Sequence, residues 1–150
     1  MTQPIDDQVR ITRVFDAPRA MVFQAFTDPE QMAQWFGPVG YSVPREEIVI
    51  EPHAGGRERI LMVKDGSGDR ELLESVYTEV VPDEVIAGHG VEGESGEGNF
   101  RFEFHDEPGG KTRLEITVWP FTGKWADELR EGWESSLHKL DHLLAGSTRR

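Results

Sequence analysis

The sequence predicts an α+β fold in which a curved antiparallel sheet of about six to seven strands wraps around one long C-terminal helix. Three features support this prediction. Two short helical segments follow the first strand, strand-like runs separated by turn clusters occupy the middle of the chain, and an amphipathic helical segment closes it. With 150 residues and one continuous pattern, we expect a single domain over residues 1–150.

The opening segments predict a strand followed by two short helices. The run VRITRVFD alternates apolar and polar residues, as a strand with one buried face does. Asp16 is then expected to cap a helix that carries its apolar residues at helical spacing. Asp28 and Pro29 begin a second short helix, which ends at Gly37-Pro38. The two helices are too short for a domain of their own, so we expect them to close one end of a larger structure.

The middle of the chain predicts an antiparallel meander. Clusters rich in Gly, Asp, Pro and Ser separate the strand-like runs and are typical of hairpin turns. In NFRFEFH the phenylalanines fall on one face and the polar residues on the other, and TRLEITVW alternates in the same way. The sheet should therefore have one apolar and one polar face. The runs are YSVPREEIVIE, GRERILMVKD, RELLESVYTEVVP, EVIAGHGVE, NFRFEFHDE and TRLEITVWPF.

The last segment, GKWADELREGWESSLHKLDHLLAG, predicts the long helix. Leu129, Trp133, Leu137, Leu140 and Leu144 form one apolar stripe at about 100° per residue, and the following glycine of LLAG is expected to end the helix. The stripe must be buried, and the apolar face of the sheet is the large surface available for it.

Composition excludes several classes of protein. The 16 Lys and Arg residues against 28 Asp and Glu residues give a net charge of -12, which opposes binding to nucleic acid or anionic membranes. The absence of cysteine excludes disulfides, thiolate nucleophiles and Cys-based metal sites. The N-terminus has no basic region followed by an apolar run, and no apolar segment is long enough for a membrane span. We therefore expect a soluble, cytoplasmic protein without membrane insertion.

Several of these segments together resemble a known superfamily. The opening RVFDAPRAMVFQAFTDPEQMAQWFGP, the strand after Gly55-Gly56, GGKTRLEIT and EGWESSLHKLDHLLA resemble the SRPBCC superfamily, also called START-like or helix-grip proteins. They are most similar to the branch homologous to the activator of the heat-shock-protein-90 ATPase. The resemblance implies a deep cavity between the C-terminal helix and the sheet, used for lipids, sterols, polyketides and other hydrophobic ligands. Gly123 and Gly132 are positions where small residues would leave such space.

The resemblance, together with strand parity, suggests candidate ligand-binding residues. An indole or thioether offers broad contact to an apolar guest, so Trp35, Phe36, Met62 and Trp133 are the first candidates for cavity walls. Glu58 departs from the family pattern, which has an aromatic residue there. It is either a polar anchor inside the cavity or a residue of the rim, and we favour the rim. The full set is Trp35, Phe36, Glu58, Ile60, Met62, Tyr77, Phe102, Phe104, Trp133 and Leu137.

The leading hypothesis is binding of a hydrophobic or amphipathic small molecule, with no catalytic residue, no cofactor and no metal. One alternative is a protein-interaction domain that binds a chaperone, a regulatory protein or a second copy of itself. Another is a cavity enzyme of the cyclase, dehydratase or hydrolase type, which needs Glu58, Tyr77 or Glu115 to face inward with a shifted pKa. Strand parity places Glu115 outward.

Two further motifs are interpreted as structural. His138 and His142 have the spacing of a metal pair, but the helical wheel places them on the solvent side. The glycine-rich GESGEG joins two strands and opens no helix, so it lacks the geometry of a phosphate loop. We predict a flexible hairpin loop there, near the mouth of the cavity.

Overall fold

An antiparallel sheet is the largest part of this computed structural model, which describes residues 7–91 and 98–148. The side chains of residues 147 and 148 are not included in that description. In chain order the elements are β1 (Val9–Phe15), α1 (Arg19–Thr27), α2 (Pro29–Trp35), β2 (Tyr41–Ser42), a 3-10 turn (Arg45–Glu47), β3 (Val49–Ile50), β4 (Arg57–Lys64), β5 (Arg70–Val81), β6 (Val85–Gly90), β7 (Asn99–Glu107), β8 (Lys111–Trp119) and α3 (Gly123–Thr148).

The sheet confirms the predicted antiparallel meander. Its eight strands follow the order β1-β8-β7-β6-β5-β4-β2, and β3 also pairs with β4. The strand count exceeds the predicted six to seven because YSVPREEIVIE, predicted as one strand, forms β2, the 3-10 turn and β3. Pro44 precedes that turn as its N-cap; its ring nitrogen donates no hydrogen bond, so the strand cannot continue through it.

The two faces of the sheet differ as the alternation predicted. On β7 and β8 the side chains of one face are buried, and the intervening residues carry charges. The register of β7 and β8 places apolar residues opposite apolar ones and charged residues opposite charged ones, with Phe102 opposite Ile116 and Glu103 opposite Glu115. The buried apolar residues of this face on β7 and β8 are Phe102, Phe104, Leu114, Ile116 and Val118.

The two short helices form where predicted, with one correction at the first. The N-cap of α1 is Pro18, which has no side-chain capping bond, so the prediction that Asp16 caps this helix is wrong. At α2 the prediction holds, since the Asp28 carboxylate accepts the N–H of Glu30 at 3.0 Å. Trp35 joins the two helices, because its indole Nε1 donates to the Ala25 carbonyl at 2.9 Å.

The long helix α3 has two unlike halves. Its second half is buried through Leu137, Leu140 and Leu144, whereas Leu129 and Trp133 in the first half are only partly buried. Trp125 near its start is 69% exposed. The helix runs to Thr148, so the expectation that the glycine of LLAG ends it is wrong. The apolar stripe is therefore fully packed against the core only in the second half of α3.

Contacts with β1 fix the position of α3. Arg13 on β1 binds Asp141 at 3.2 Å and lies 3.9 Å from the carboxylate of Glu134. Arg130 donates to the carbonyl of Arg10, also on β1, at 2.8 Å. Within the described parts of the chain, no helix is both long enough and apolar enough to cross a bilayer.

Candidate ligand-binding cavity

Two adjoining cavities lie beneath the first half of α3. The first, which we call the Glu58 cavity, has a volume of about 160 Å³. The second, the Gly132 cavity, has a volume of about 270 Å³. They share four walls, namely Phe36, Leu73, Leu129 and Trp133. The cavities occupy the region where α3 is only partly buried, which is where a straight helix and a curved sheet separate.

Aromatic rings line the Glu58 cavity and contact one another edge to face. The Trp133 ring lies 6.0 Å from that of Phe36 and 5.5 Å from that of Phe102, both in T-shaped geometry. Phe100 stacks on Phe102 with ring centroids 5.2 Å apart. Such interlocked rings form a rigid, apolar wall with broad contact area. The side chains come from the C-cap of α2, from β7 and from α3, so the wall depends on elements far apart in the sequence.

A carboxyl group lies in this apolar setting. Glu58 is half-buried and lines the cavity, and its Oε2 accepts a hydrogen bond of 2.8 Å from the hydroxyl of Tyr77. Tyr77 is 2% exposed. On β4, Glu58 alternates with Ile60 and Met62 and so shares their inward side. The preference for a rim position is therefore corrected: Glu58 points inward.

Burial sets the ionisation of this pair. It raises the pKa of Glu58 from 4.5 to about 7, and the hydrogen bond from Tyr77 offsets part of the increase because it stabilises the carboxylate. Burial raises the pKa of Tyr77 as well, and the neighbouring carboxylate raises it further. The phenol therefore stays protonated and donates, while the Glu58 carboxyl exchanges its proton near neutral pH.

The Gly132 cavity opens toward the start of α3. Gly132 borders it, and a Cβ placed on this glycine would meet no atom within 4 Å. Met62 forms part of the opposite wall. Acidic residues border this cavity at Glu71 and Glu128, and among the described residues no Lys, Arg or His lines either cavity. The lining of the two cavities is therefore mainly apolar, and its charged side chains are glutamates.

The structure separates the predicted site residues into two groups. Those that line a cavity are Phe36, Glu58, Met62, Phe102 and Trp133. The others belong to the buried core and line neither cavity; they are Trp35, Ile60, Tyr77, Phe104 and Leu137. Strand parity predicted the inward orientation of Ile60 and Phe104, and the helical stripe predicted the burial of Leu137, whereas no orientation was predicted for Tyr77. The cavities lie elsewhere along the same strands and helix, so parity alone did not locate them.

Further residues line the cavities without having been included in the predicted set. Leu129 lies on the predicted apolar stripe, and Phe100 has the parity of Phe102, so both carried a signal. Leu73 carried none, because the consecutive leucines of RELLESV hide the alternation of β5. Gly132 was expected to leave space in the helix, and it borders a cavity as expected, whereas Gly123 borders neither.

One group of side chains on the polar face has the composition of a metal site. Single ligand atoms of Glu103, His105 and Glu115 lie within 4.8 Å of one another. Guanidinium groups already occupy the carboxylates, since Arg101 Nε donates to Glu103 at 2.6 Å and Arg113 Nε donates to Glu115 at 2.8 Å. The Arg101 bond holds the pKa of Glu103 below its usual range. These contacts describe a surface ion-pair network.

The remaining motifs lie outside the cavities. His138 and His142 are both exposed on α3, with ring centroids 4.8 Å apart, on the solvent side as predicted. Glu115 faces the polar side of the sheet, also as predicted. Most of the loop GESGEG lies outside the described residues, and its last residue, Gly98, borders the Glu58 cavity.

A sheet wrapped around a C-terminal helix, with two short helices at one end and cavities beneath the helix, defines the helix-grip class of α+β proteins. The chain belongs to a family within this class. The family is described as Activator of Hsp90 ATPase homolog 1-like protein, and its model matches residues 16–145.

Solved structures share the fold over nearly the whole chain. A protein of Chromobacterium violaceum is 25% identical with a TM-score of 0.81, covering 91% of this chain and 96% of its own. An AHSA1 protein of Silicibacter pomeroyi is 26% identical with a TM-score of 0.74, over 93% and 99% of the two chains. An HSP90 activator of Plasmodium falciparum is 19% identical with a TM-score of 0.69, over 92% and 96%. No curated protein sequence matches the chain.

Proposed function

We propose that the protein binds a hydrophobic or amphipathic small molecule in the two cavities beneath α3. The observation that carries this proposal is the pair of adjoining cavities, whose shared walls are Phe36, Leu73, Leu129 and Trp133. Ligand sites typically combine such apolar walls with a few polar groups that orient the guest. Glu58 supplies such a group here, and Tyr77 behind it holds the carboxylate through a 2.8 Å hydrogen bond.

Apolar burial would supply most of the binding free energy. A guest that buries about 200 Å² of apolar surface gains about 5 kcal/mol at 25 cal/mol per Å². Loss of translational and rotational freedom opposes this gain. We therefore expect modest affinity, about micromolar or weaker, unless the polar groups contribute.

The test fills the Gly132 cavity and uses a second helical glycine as the control. In Gly132→Leu the new side chain enters open space in the cavity wall. Gly146→Leu makes the same change in the same helix, also where no atom lies within 4 Å of the new Cβ, but away from both cavities. Both changes remove a helical glycine, which favours the helix by about 0.5–1 kcal/mol.

The readout is the fluorescence of the neutral dye N-phenyl-naphthylamine, titrated into each protein. We expect the wild-type chain and Gly146→Leu to bind alike and Gly132→Leu to bind about tenfold more weakly, since a lost contact worth about 1.4 kcal/mol changes affinity tenfold. Equal binding by all three proteins would place the dye elsewhere. Absence of binding to the wild-type chain would refute the proposal for apolar guests.

The hydrogen-bonded pair of Glu58 and Tyr77 favours a second function, acid–base chemistry on a bound substrate. The enzyme hypothesis required an inward acid with a shifted pKa, and Glu58 meets that requirement. The test identifies any small molecule that co-purifies with the protein and measures its turnover. Turnover should be lost in Glu58→Gln and retained in Glu84→Gln, which changes an exposed carboxylate. Equal turnover in both variants would exclude Glu58 as the acid.

The family supports a third function, interaction with a protein partner such as Hsp90. Val39 and Trp125 expose 73% and 69% of their surface, and Trp125 borders the Gly132 cavity. Exposed apolar residues of this size are typical of interfaces. Purified Hsp90 should hydrolyse ATP faster with the protein present, and Trp125→Ala should weaken the effect. An unchanged ATPase rate, together with a monomeric mass in light scattering, would argue against both an Hsp90 role and a homodimer.

A further inference from the structure

We propose that the two cavities select a hydrophobic cation, a molecule whose apolar body lies against Phe36, Leu129 and Trp133 and whose ammonium group contacts the Glu58 carboxylate. This inference rests on the proposed binding function and specifies the chemical class of the ligand. Three features support it, namely the charge of the cavity walls, the unfilled hydrogen-bonding capacity of Glu58 and the aromatic rings around it.

The charged residues that line the cavities are all acidic. Glu58 and Glu74 border one cavity, and Glu71 and Glu128 border the other. Glu71 shares the cavity side of β5 with Leu73, by strand alternation, whereas Glu74 lies on the opposite side across from Arg59. Within residues 7–91 and 98–148 no basic side chain lines either cavity to offset this charge. A ligand carboxylate or phosphate would therefore meet only repulsion there.

Glu58 has capacity for another donor. An ionised carboxylate offers about four acceptor positions, and among the described residues Tyr77 is the side chain that fills one of them. A carboxylate partly removed from water with so few donors is costly unless a cation or further donors compensate. An ammonium group supplies both positive charge and N–H donors, so the site is more complementary to it than to a neutral guest.

The neighbouring rings are also suited to a cation. Trp133, Phe36, Phe100 and Phe102 line the same cavity as Glu58. The faces of aromatic rings carry negative charge density and attract organic ammonium groups within about 6 Å. A carboxylate beside several rings is therefore a typical environment for an ammonium group, and the remaining apolar surface accommodates a hydrocarbon body.

Proton exchange at Glu58 makes this selectivity depend on pH. Because burial holds the pKa of Glu58 at about 7, ammonium binding should be strongest above that pH and weaken below it. Tyr77 on β5 is the ionisable group in contact with Glu58, and it remains neutral because its own pKa is raised. Among the described residues, the other side chains placed toward Glu58 carry no charge: Ile50 and Ser75 are its strand partners, and Phe26, Met32, Phe100, Phe102, Val118 and Trp133 line the same cavity. Glu74 also borders this cavity, but strand alternation places its side chain on the opposite side of β5.

The experiment compares three ligands with the same apolar body. Phenylbutylamine, phenylbutanol and phenylbutyrate each compete with N-phenyl-naphthylamine at about pH 8, where Glu58 is ionised. We expect the amine to bind about tenfold or more tightly than the alcohol, because bonds to charged groups are roughly twice as strong as neutral ones. The carboxylate should bind most weakly. At about pH 5.5 the affinity for the amine should fall toward the affinity for the alcohol.

Variants assign the effect to Glu58. Glu58→Gln should bring the amine to the affinity of the alcohol and leave the alcohol unchanged, whereas Glu84→Gln should retain the full preference. Equal binding of amine and alcohol to the wild-type chain, or no displacement by the amine, would overturn the inference while leaving the binding function intact if the dye still binds. Failure of the dye itself to bind would refute the proposed function.

Discussion

Replacing Glu58 by Gln should stabilise the protein at neutral and alkaline pH. Burial raises the pKa of this carboxyl from 4.5 in the free side chain to about 7 in the folded chain. Ionisation therefore favours the unfolded state, so the stability contributed by the protonated group is full below 4.5 and is lost as the pH rises through 7. The loss is about 3 kcal/mol, at about 1.4 kcal/mol per pKa unit.

Glutamine removes this loss because it does not ionise. Its amide oxygen can still accept the hydrogen bond that Tyr77 donates to Glu58 at 2.8 Å. The difference in unfolding free energy between Glu58→Gln and wild type should therefore grow in favour of the variant as the pH rises. About 2 kcal/mol of this difference in unfolding free energy should develop between about pH 5.5 and about pH 8.5. This range lies above the pI of about 4.8.

The assay is urea unfolding at a series of pH values, followed by tryptophan fluorescence, with linear extrapolation to zero denaturant. Glu84→Gln serves as the control, since it removes one negative charge from an exposed position in the turn between β5 and β6. A difference between Glu58→Gln and wild type that stays constant with pH would show that the carboxyl is not buried as described. If Glu58→Gln were less stable than the wild type at high pH, the predicted sign of the effect would be wrong.

Substitutions at four positions test the packing and one helix cap. Leu140→Ala, at a fully buried position of α3, should lower the free energy of unfolding by about 2–5 kcal/mol in urea unfolding. Leu129→Ala, at a partly buried position in the first half of the same helix, should cost less than half as much. Equal costs would contradict the separation of helix and sheet. Trp35→Phe keeps an aromatic side chain but replaces the indole by a smaller phenyl ring and leaves the Ala25 carbonyl without its donor, so it should cost about 1–3 kcal/mol. A neutral result would mean that water replaces the bond. Asp28→Ala should lower stability by about 1 kcal/mol through loss of the α2 cap, an effect that a thermal melt would detect as a lower Tm and that Asp28→Asn should largely avoid.

The architecture was predictable because each element carries its own periodicity. The alternation of NFRFEFH and the stripe of α3 required no knowledge of the rest of the chain. The errors arose where local chemistry competes with that pattern. Pro44 interrupts a run that otherwise has the composition of one strand, and Pro18 occupies the cap position that Asp16 was expected to fill.

The candidate site was predictable only in part, because a cavity depends on how far elements lie from each other. Trp35 and Leu137 face inward as predicted, yet neighbouring side chains fill the space around them. The orientation of Glu58 was uncertain because it lies two residues after Gly56, where a turn could have changed the parity of β4. The structure preserves that parity, and so brings the carboxyl beside Tyr77.

The attachment of α3 to the edge strand β1 bears on which guests the proposed binding site would accept. Polar contacts hold the helix to β1, through Arg13 and through the bond from Arg130, whereas the cavities separate its first half from β4 and β5. Moving the first half of α3 away from β5 would break fewer contacts than moving it away from β1. If the proposed binding function holds, rotation about the junction of α3 and β1 would accommodate larger guests, and substitutions on β4 and β5 would adjust the size limit without weakening that junction.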